Sequence, residues 1–229
     1  MSGRAVGGAL LALIGLGAVG CADDPDPAVA VGIGPDDVGA VMAQPCDRPT
    51  ARTGVGTRLD DGSVLTAAHT VDGALRRLTI DGAEADVLSI DLDRDLALLA
   101  EAGSAVAPSI VQPELAPVER GDEVEVLLGS AESTVVEVDR TVRLVVDDVT
   151  DDRRSERRSH VVRPGLPSGS SGAPVVADDG HLVGVVVLTG RRTDESFVVA
   201  GDEVVAFLDH AASPGGTGSG RLLTVGACE

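Results

Sequence analysis

Apolar positions in this chain fall in short runs rich in Val, Leu and Ile, separated by turns built from Gly, Asp and Pro. That pattern predicts strands rather than helices, because β-branched residues suit a pleated surface and the breaks come too often for long helical faces. The first clear pair is a hairpin: residues 54–59, a turn at Asp60-Asp61-Gly62, and residues 63–69, whose far end delivers His69. Further short strands are predicted at 78–80, 85–90 and 96–99, with a turn at Asp81-Gly82. Residues 104–117, carrying Pro108, Pro113 and Pro117, read as a connection between two halves. A turn at Arg120-Gly121-Asp122 restarts the pattern, with strands at 124–128, 134–138 and 142–146. Opening a strand explains that tripeptide fully, without an adhesion role. Residues 147–158 mix both signs of charge with no apolar pattern and read as a solvated loop. Residues 202–208 begin with acids and show helical apolar spacing, so one short helix is expected. After a Gly-rich connection at 213–220, residues 222–228 would form a last strand.

The N-terminus breaks this pattern. Arg4 and the apolar stretch 9–19 have the form of an export signal, too short for a stable membrane span. It ends Gly17-Ala18-Val19-Gly20-Cys21, which resembles a bacterial lipoprotein signal with Cys21 as the lipidated residue, although Ala18 stands where Leu is commoner. The acidic, proline-containing stretch 21–37 has the composition of a flexible tether. The expected organisation is therefore a signal at 1–20, a tether at 21–37 and one folded region at 38–229. Its location would be outside the cytoplasm, membrane-anchored through Cys21. The remaining cysteines, Cys46 and Cys228, lie near the two ends of that region, and in an exported protein they most simply form one disulfide. Two buried free thiols are the alternative, while a zinc site would need clustered ligands.

Length and charge narrow the rest. The 229 residues suffice for one large domain or two small barrels, with a core drawn from Val, Leu, Ile and Ala, since the chain has two Phe and no Trp or Tyr. A net charge of −19 argues against non-specific nucleic-acid binding, which needs basic patches to displace counterions. The expected partners are a polypeptide substrate and the membrane, with the protein a monomer.

One set of residues carries chemistry. Ser171 sits in the turn Ser168-Gly169-Ser170-Ser171-Gly172-Ala173-Pro174, His69 follows a strand-like run, and Asp95 opens the apolar run 96–99. A serine hydroxyl needs a base to become nucleophilic, and the base needs an acid to fix its tautomer and stabilise the imidazolium. Asp95 suits that task better than Asp91 or Asp93, which have no apolar run directly after them. Backbone N–H groups of Gly169 and Ser171 could receive the negative charge of a tetrahedral intermediate, given the unusual dihedrals that glycine tolerates. No cofactor or metal is needed for this chemistry.

Taken in order, Gly56-Thr57-Arg58-Leu59, Val64-Leu65-Thr66-Ala67-Ala68-His69, Asp95-Leu96-Ala97-Leu98-Leu99 and Gly169-Ser170-Ser171-Gly172-Ala173-Pro174 resemble the trypsin-like (chymotrypsin-fold) serine peptidases. Residues 184–187 and 196–199 are also similar to that family. The compact spacing looks more like the bacterial and HtrA-like peptidase domains, and too few residues follow 210 for a PDZ-like domain. The resemblance implies an all-β fold of two six-stranded antiparallel barrels, about 38–112 and 118–229, with a short C-terminal helix and the His69–Asp95–Ser171 triad in the cleft between them. It also implies a substrate pocket with Gly165 at its floor and Thr189 and Ser196 at its walls. None of these three is acidic, and Val186 stands where glutamate-specific relatives have His, so a small or medium apolar side chain is the expected preference.

Two departures matter. Ser170 replaces the family's Asp or Asn before the nucleophile, which removes the ion pair that trypsin forms with a new N-terminus and predicts no such activation. Val187 replaces a serine that often supports the triad acid. These departures keep open a catalytically weak or inactive relative acting as a surface binding or scaffold module. An α/β-hydrolase using Ser171, Asp202 and His210 lacks the Gly-x-Ser-x-Gly elbow and the long helices. Thr70 stands where many animal members have a cysteine, which fits a single disulfide. His160 and His181 have no ligand spacing and read as surface or strand-end residues.

Overall fold

The structure is a computed structural model that describes residues 32–104, 112–129, 132–148, 153–189, 194–213, 225 and 228. The expected signal at 1–20, the expected lipidation site Cys21 and the expected tether up to residue 31 lie outside the described residues, as does most of the strand expected at 222–228.

Among the described residues, twelve strands and two α-helices build the fold, preceded by a single 3-10 turn at Pro35–Asp37. The first six strands are β1 (Val38–Pro45), β2 (Arg52–Arg58), β3 (Val64–Ala67), β4 (Leu75–Ile80), β5 (Ala83–Asp91) and β6 (Leu96–Glu101). They close an antiparallel barrel in the order β1-β2-β3-β6-β5-β4. The second six are β7 (Glu123–Gly129), β8 (Glu132–Asp148), β9 (Arg153–Arg163), β10 (Pro174–Val176), β11 (Leu182–Thr189) and β12 (Ser196–Ala200). They close a second barrel in the order β10-β11-β12-β9-β8-β7. Closure leaves neither sheet with an unpaired edge. The short turn of helix α1 (Ala68–Val71) follows β3, and α2 (Gly201–Ala212) follows β12.

Each barrel is filled by small branched side chains, as the scarcity of aromatics requires. Val41, Val64, Leu75, Leu78, Ile80 and Leu99 pack the first, and Val126, Val136, Val162, Val175, Val186 and Val198 the second. A third cluster spans the boundary. Leu59, Leu65, Leu96 and Leu98 of the first barrel meet Leu182, Val185, Val187 and Val199 of the second, together with Val204, Phe207 and Leu208 of α2. Phe207 is completely buried there, so the expected helix clasps the two barrels together with its apolar stripe.

Four features differ from the sequence expectation. Strands begin at Val38 rather than at residue 54: β1 pairs with both β2 and β4, but Gly39, Ala40 and Ala43 dilute its apolar signal. The strand before His69 stops at Ala67, and His69 rides on α1. The segments 134–138 and 142–146 are one long strand, β8, bent at a register shift between Val138 and Arg140. The largest correction concerns 147–158. Residues 153–158 are not a solvated loop but the first half of β9, paired with β8 through Asp148↔Arg153 to Arg143↔Arg158. Its alternation was hidden because the inward positions Ser155, Arg157 and Ser159 are polar, and apolar period-two spacing is what a strand reading relies on.

Gly32 to Asp37, inside the stretch whose composition suggests a tether, lie against the second barrel. The Ile33 N–H donates to the Gly180 carbonyl at 2.9 Å, and the Ile33 side chain packs on two of the core clusters. At the other end, Cys46 and Cys228 form a disulfide, and Val225 makes an isolated parallel bridge to Leu75. Among the described residues no helix is long and apolar enough to cross a membrane.

Candidate active site

The cleft between the barrels brings His69, Asp95 and Ser171 together, although 102 residues separate the first from the last. His69 is set by α1 directly after β3. Arg52 secures that turn by donating from Nη1 to the His69 carbonyl at 3.1 Å and to the Asp72 carbonyl at 2.6 Å. Asp95 closes the loop from β5 into β6. Asp91 is buried at the head of this loop, where its Oδ1 accepts the N–H groups of Asp93 and Arg94 at 2.9 and 3.0 Å. Its Oδ2 takes the Arg94 guanidinium at 2.7 Å. Asp91 is therefore the brace of the turn that presents Asp95. Asp95 itself has φ +60°, a left-handed conformation that Asp tolerates better than most residues.

The polar geometry is continuous. Asp95 Oδ1 accepts the His69 backbone N–H at 2.8 Å, and Oδ2 lies 2.8 Å from His69 Nδ1. His69 Nε2 lies 3.0 Å from Ser171 Oγ. With Nδ1 protonated toward the carboxylate, Nε2 is free to accept the serine proton, which is the arrangement a base-activated serine needs.

Glycines let the turn that carries Ser171 approach the first barrel. Gly169 and Gly172 adopt φ +97° and +89°, values that a Cβ would strain. The Ser170 side chain, which occupies the family's acidic position, turns inward and donates its hydroxyl to the Pro167 carbonyl at 2.7 Å. The loop is thus tied by an internal neutral hydrogen bond. The Gly172 N–H goes to the Val186 carbonyl at 2.7 Å and the Ala173 N–H to the Ser170 carbonyl at 3.0 Å. Among the described residues, the N–H groups of Gly169 and Ser171 meet no backbone acceptor in this turn.

The three residues expected to line a substrate pocket lie on neighbouring segments of the second barrel. The Gly165 N–H donates to Asp194 Oδ1 at 2.9 Å, Ser196 Oγ accepts the Leu166 N–H at 2.9 Å, and Thr189 pairs with Ser196 across β11 and β12. Asp194 is an addition that motif reasoning missed: a carboxylate stands against Gly165 even though none of the three expected lining residues is acidic. Beside it, Glu195 is held below the usual carboxylate range by the guanidinium groups of Arg140 and Arg163. His160 is a further correction. It is buried on β9, with Nδ1 2.9 Å from Thr141 Oγ1, and burial beside Arg158 keeps its pKa below the ordinary histidine value. His181 lies at the start of β11 between Glu114 and Asp179. Asp202 and His210 are both on α2, and the double barrel excludes the α/β-hydrolase alternative. Among the described residues no group of His, Cys, Asp or Glu side chains is arranged to hold a metal ion.

Two closed antiparallel barrels with these side chains in the cleft define the class: the fold is the chymotrypsin-like protease fold. Comparison with known proteins agrees. Serine protease MT3772 and serine protease Rv3671c, from two strains of Mycobacterium tuberculosis, are each 30% identical over 179 residues, 72% of this chain. The chain spans 44% of the length of these curated relatives. The crystal structure of the active form of the Rv3671c protease from M. tuberculosis superposes with a TM-score of 0.66 at 24% identity, covering 96% of this chain and 99% of that one. An inactive form gives 0.60 at 25% identity, covering 82% and 98%. No protein-family model matches the chain.

Proposed function

We propose that this protein is a serine endopeptidase, exported and held at the membrane by a lipid on Cys21, that cleaves polypeptides through an acyl-enzyme. The observation that carries the reading is the unbroken chain from Asp95 Oδ2 through His69 to Ser171 Oγ, at 2.8 and 3.0 Å. Proteins named serine proteases among its relatives support it.

The steps follow from that geometry. Ser171 Oγ attacks the scissile carbonyl while His69 Nε2 takes its proton. Asp95 holds the imidazole in the tautomer that exposes Nε2 and stabilises the imidazolium. The oxyanion is received by the N–H groups of Gly169 and Ser171, and one such donor contributes about 3–4 kcal/mol to the transition state. His69 then protonates the leaving amine, and water repeats the sequence on the acyl-enzyme. Gly165, Thr189 and Ser196 bound the pocket for the residue before the scissile bond. The chain acts as a monomer and needs no cofactor.

The reading is tested with a fluorophosphonate probe, which reacts with a base-activated serine. Wild-type protein should label, and Ser171→Ala and His69→Ala should not. Equal labelling of all three, or of none, overturns the reading and leaves a binding module on the same fold.

A further inference from the structure

Among the described residues, Arg157 is the one buried cation beside the triad. It stands on β9 of the second barrel, 4% exposed, in the stretch whose sequence looks like surface loop. Its guanidinium crosses to the first barrel. Nη1 donates to the Asp93 carbonyl at 3.1 Å, and Nη2 lies 3.6 Å from Asp95 Oδ2. That oxygen is the same one that faces His69 Nδ1. Three groups therefore fix the orientation of the Asp95 carboxylate: the His69 backbone N–H on Oδ1, and the imidazole and Arg157 on Oδ2.

A guanidinium is costly to bury unless carboxylates and carbonyls surround it. Burial does pull the Arg157 pKa down, while Asp95, Asp91, Asp93 and Glu203 oppose that pull. Its Nε finds no acceptor among the described residues, so the side chain keeps an unsatisfied donor while its two terminal nitrogens face the acid loop. A side chain placed only to satisfy itself would not be held this way. Location supplies the rest. His69 and Asp95 belong to the first barrel and Ser171 to the second, so their register depends on contacts that cross the boundary. Arg157 is such a contact at the acid itself. A second runs alongside it, from Arg94 Nε to Glu203 Oε2 at 3.0 Å, with Glu203 Oε1 accepting the Arg158 N–H at 3.1 Å.

We infer that Arg157 is a positioning residue, holding the Asp95 carboxylate, and through it His69, in register with Ser171 across the inter-barrel cleft. The inference rests on the peptidase reading above.

The test measures the rate of fluorophosphonate labelling of Ser171 against probe concentration for wild type, Arg157→Met and Arg157→Lys, with thermal unfolding of each. Arg157→Met should lower the limiting rate ~10-fold, equivalent to about 1.4 kcal/mol in the barrier, with half-saturation unchanged, and Arg157→Lys should recover most of that rate by restoring a cation. A limiting rate in Arg157→Met equal to wild type overturns the inference, as does an equal loss in Met and Lys. Should Arg157→Met not fold, Arg157→Gln gives the same comparison. Failure of both neutral variants to fold while Arg157→Lys folds assigns Arg157 to stability and also overturns it. Absence of labelling in wild type would instead defeat the peptidase reading, so the two failures are distinct.

Discussion

The Val55 N–H of the first barrel donates to the Ser171 carbonyl of the second at 2.8 Å. The backbone that carries Ser171 is thereby stitched to the barrel that carries His69. Two glycines make this approach feasible. A Cβ on Gly54 would lie 2.7 Å from the Ser171 carbonyl oxygen, and one on Gly172 would lie 2.0 Å from the Val55 carbonyl oxygen and 2.5 Å from Thr66 Oγ1.

Gly172→Ala should therefore separate the barrels at the nucleophile. The obstruction is backbone, which has little room to move, and the residue is also at φ +89°. The expected outcome is a loss of about 2 kcal/mol or more of stability, together with loss of Ser171 labelling in whatever protein remains folded. Urea denaturation and probe reaction would check both, and wild-type behaviour in both assays would refute the packing argument.

The disulfide ties the end of β1 to the C-terminal segment across 182 residues. Cross-linking so long a loop restricts the unfolded chain strongly, so replacing Cys46 and Cys228 by Ser should cost about 2–5 kcal/mol. The urea midpoint of the double variant reads this, with non-reducing peptide mapping confirming the Cys46–Cys228 linkage in wild type.

His160 should make stability sensitive to mild acid. Its folded-state pKa is depressed, first by burial and then by Arg158, so below the unfolded value of about 6.5 the unfolded chain binds more protons than the folded one. Stability from this group is complete above about 6.5 and declines as pH falls below it. His160→Gln should flatten that dependence between roughly pH 7.5 and 5 in urea titrations; parallel curves for the two proteins would reject the assignment.

Cys21→Ser should release the protein from the membrane fraction of cells expressing the full chain. Unchanged fractionation would reject the lipid anchor while leaving the active-site geometry untouched.

Sequence and structure divided the information along a physical line. Each triad candidate was legible because its chemistry needs a local backbone shape: a glycine turn for Ser171, the end of a strand for His69, the mouth of an apolar strand for Asp95. Hairpin turns and the α2 stripe were legible for the same reason, since their signals repeat over a few residues. Strand β1 was diluted by small residues, and β9 was disguised because Ser155, Arg157 and Ser159 face inward.

Contacts across the barrel boundary were decided only by tertiary structure. Nothing near Arg157 in the chain announces that it will face Asp95, and nothing near Gly54 announces Ser171. Such pairings depend on which strands close each barrel and how the two barrels seat, a packing outcome set by the Leu65, Val185 and Phe207 cluster rather than by any short motif. The chain alone marked His69, Asp95 and Ser171 as candidates for acyl transfer; the closure and docking of the barrels decided that Asp95 and Ser171 each stand within 3.0 Å of His69.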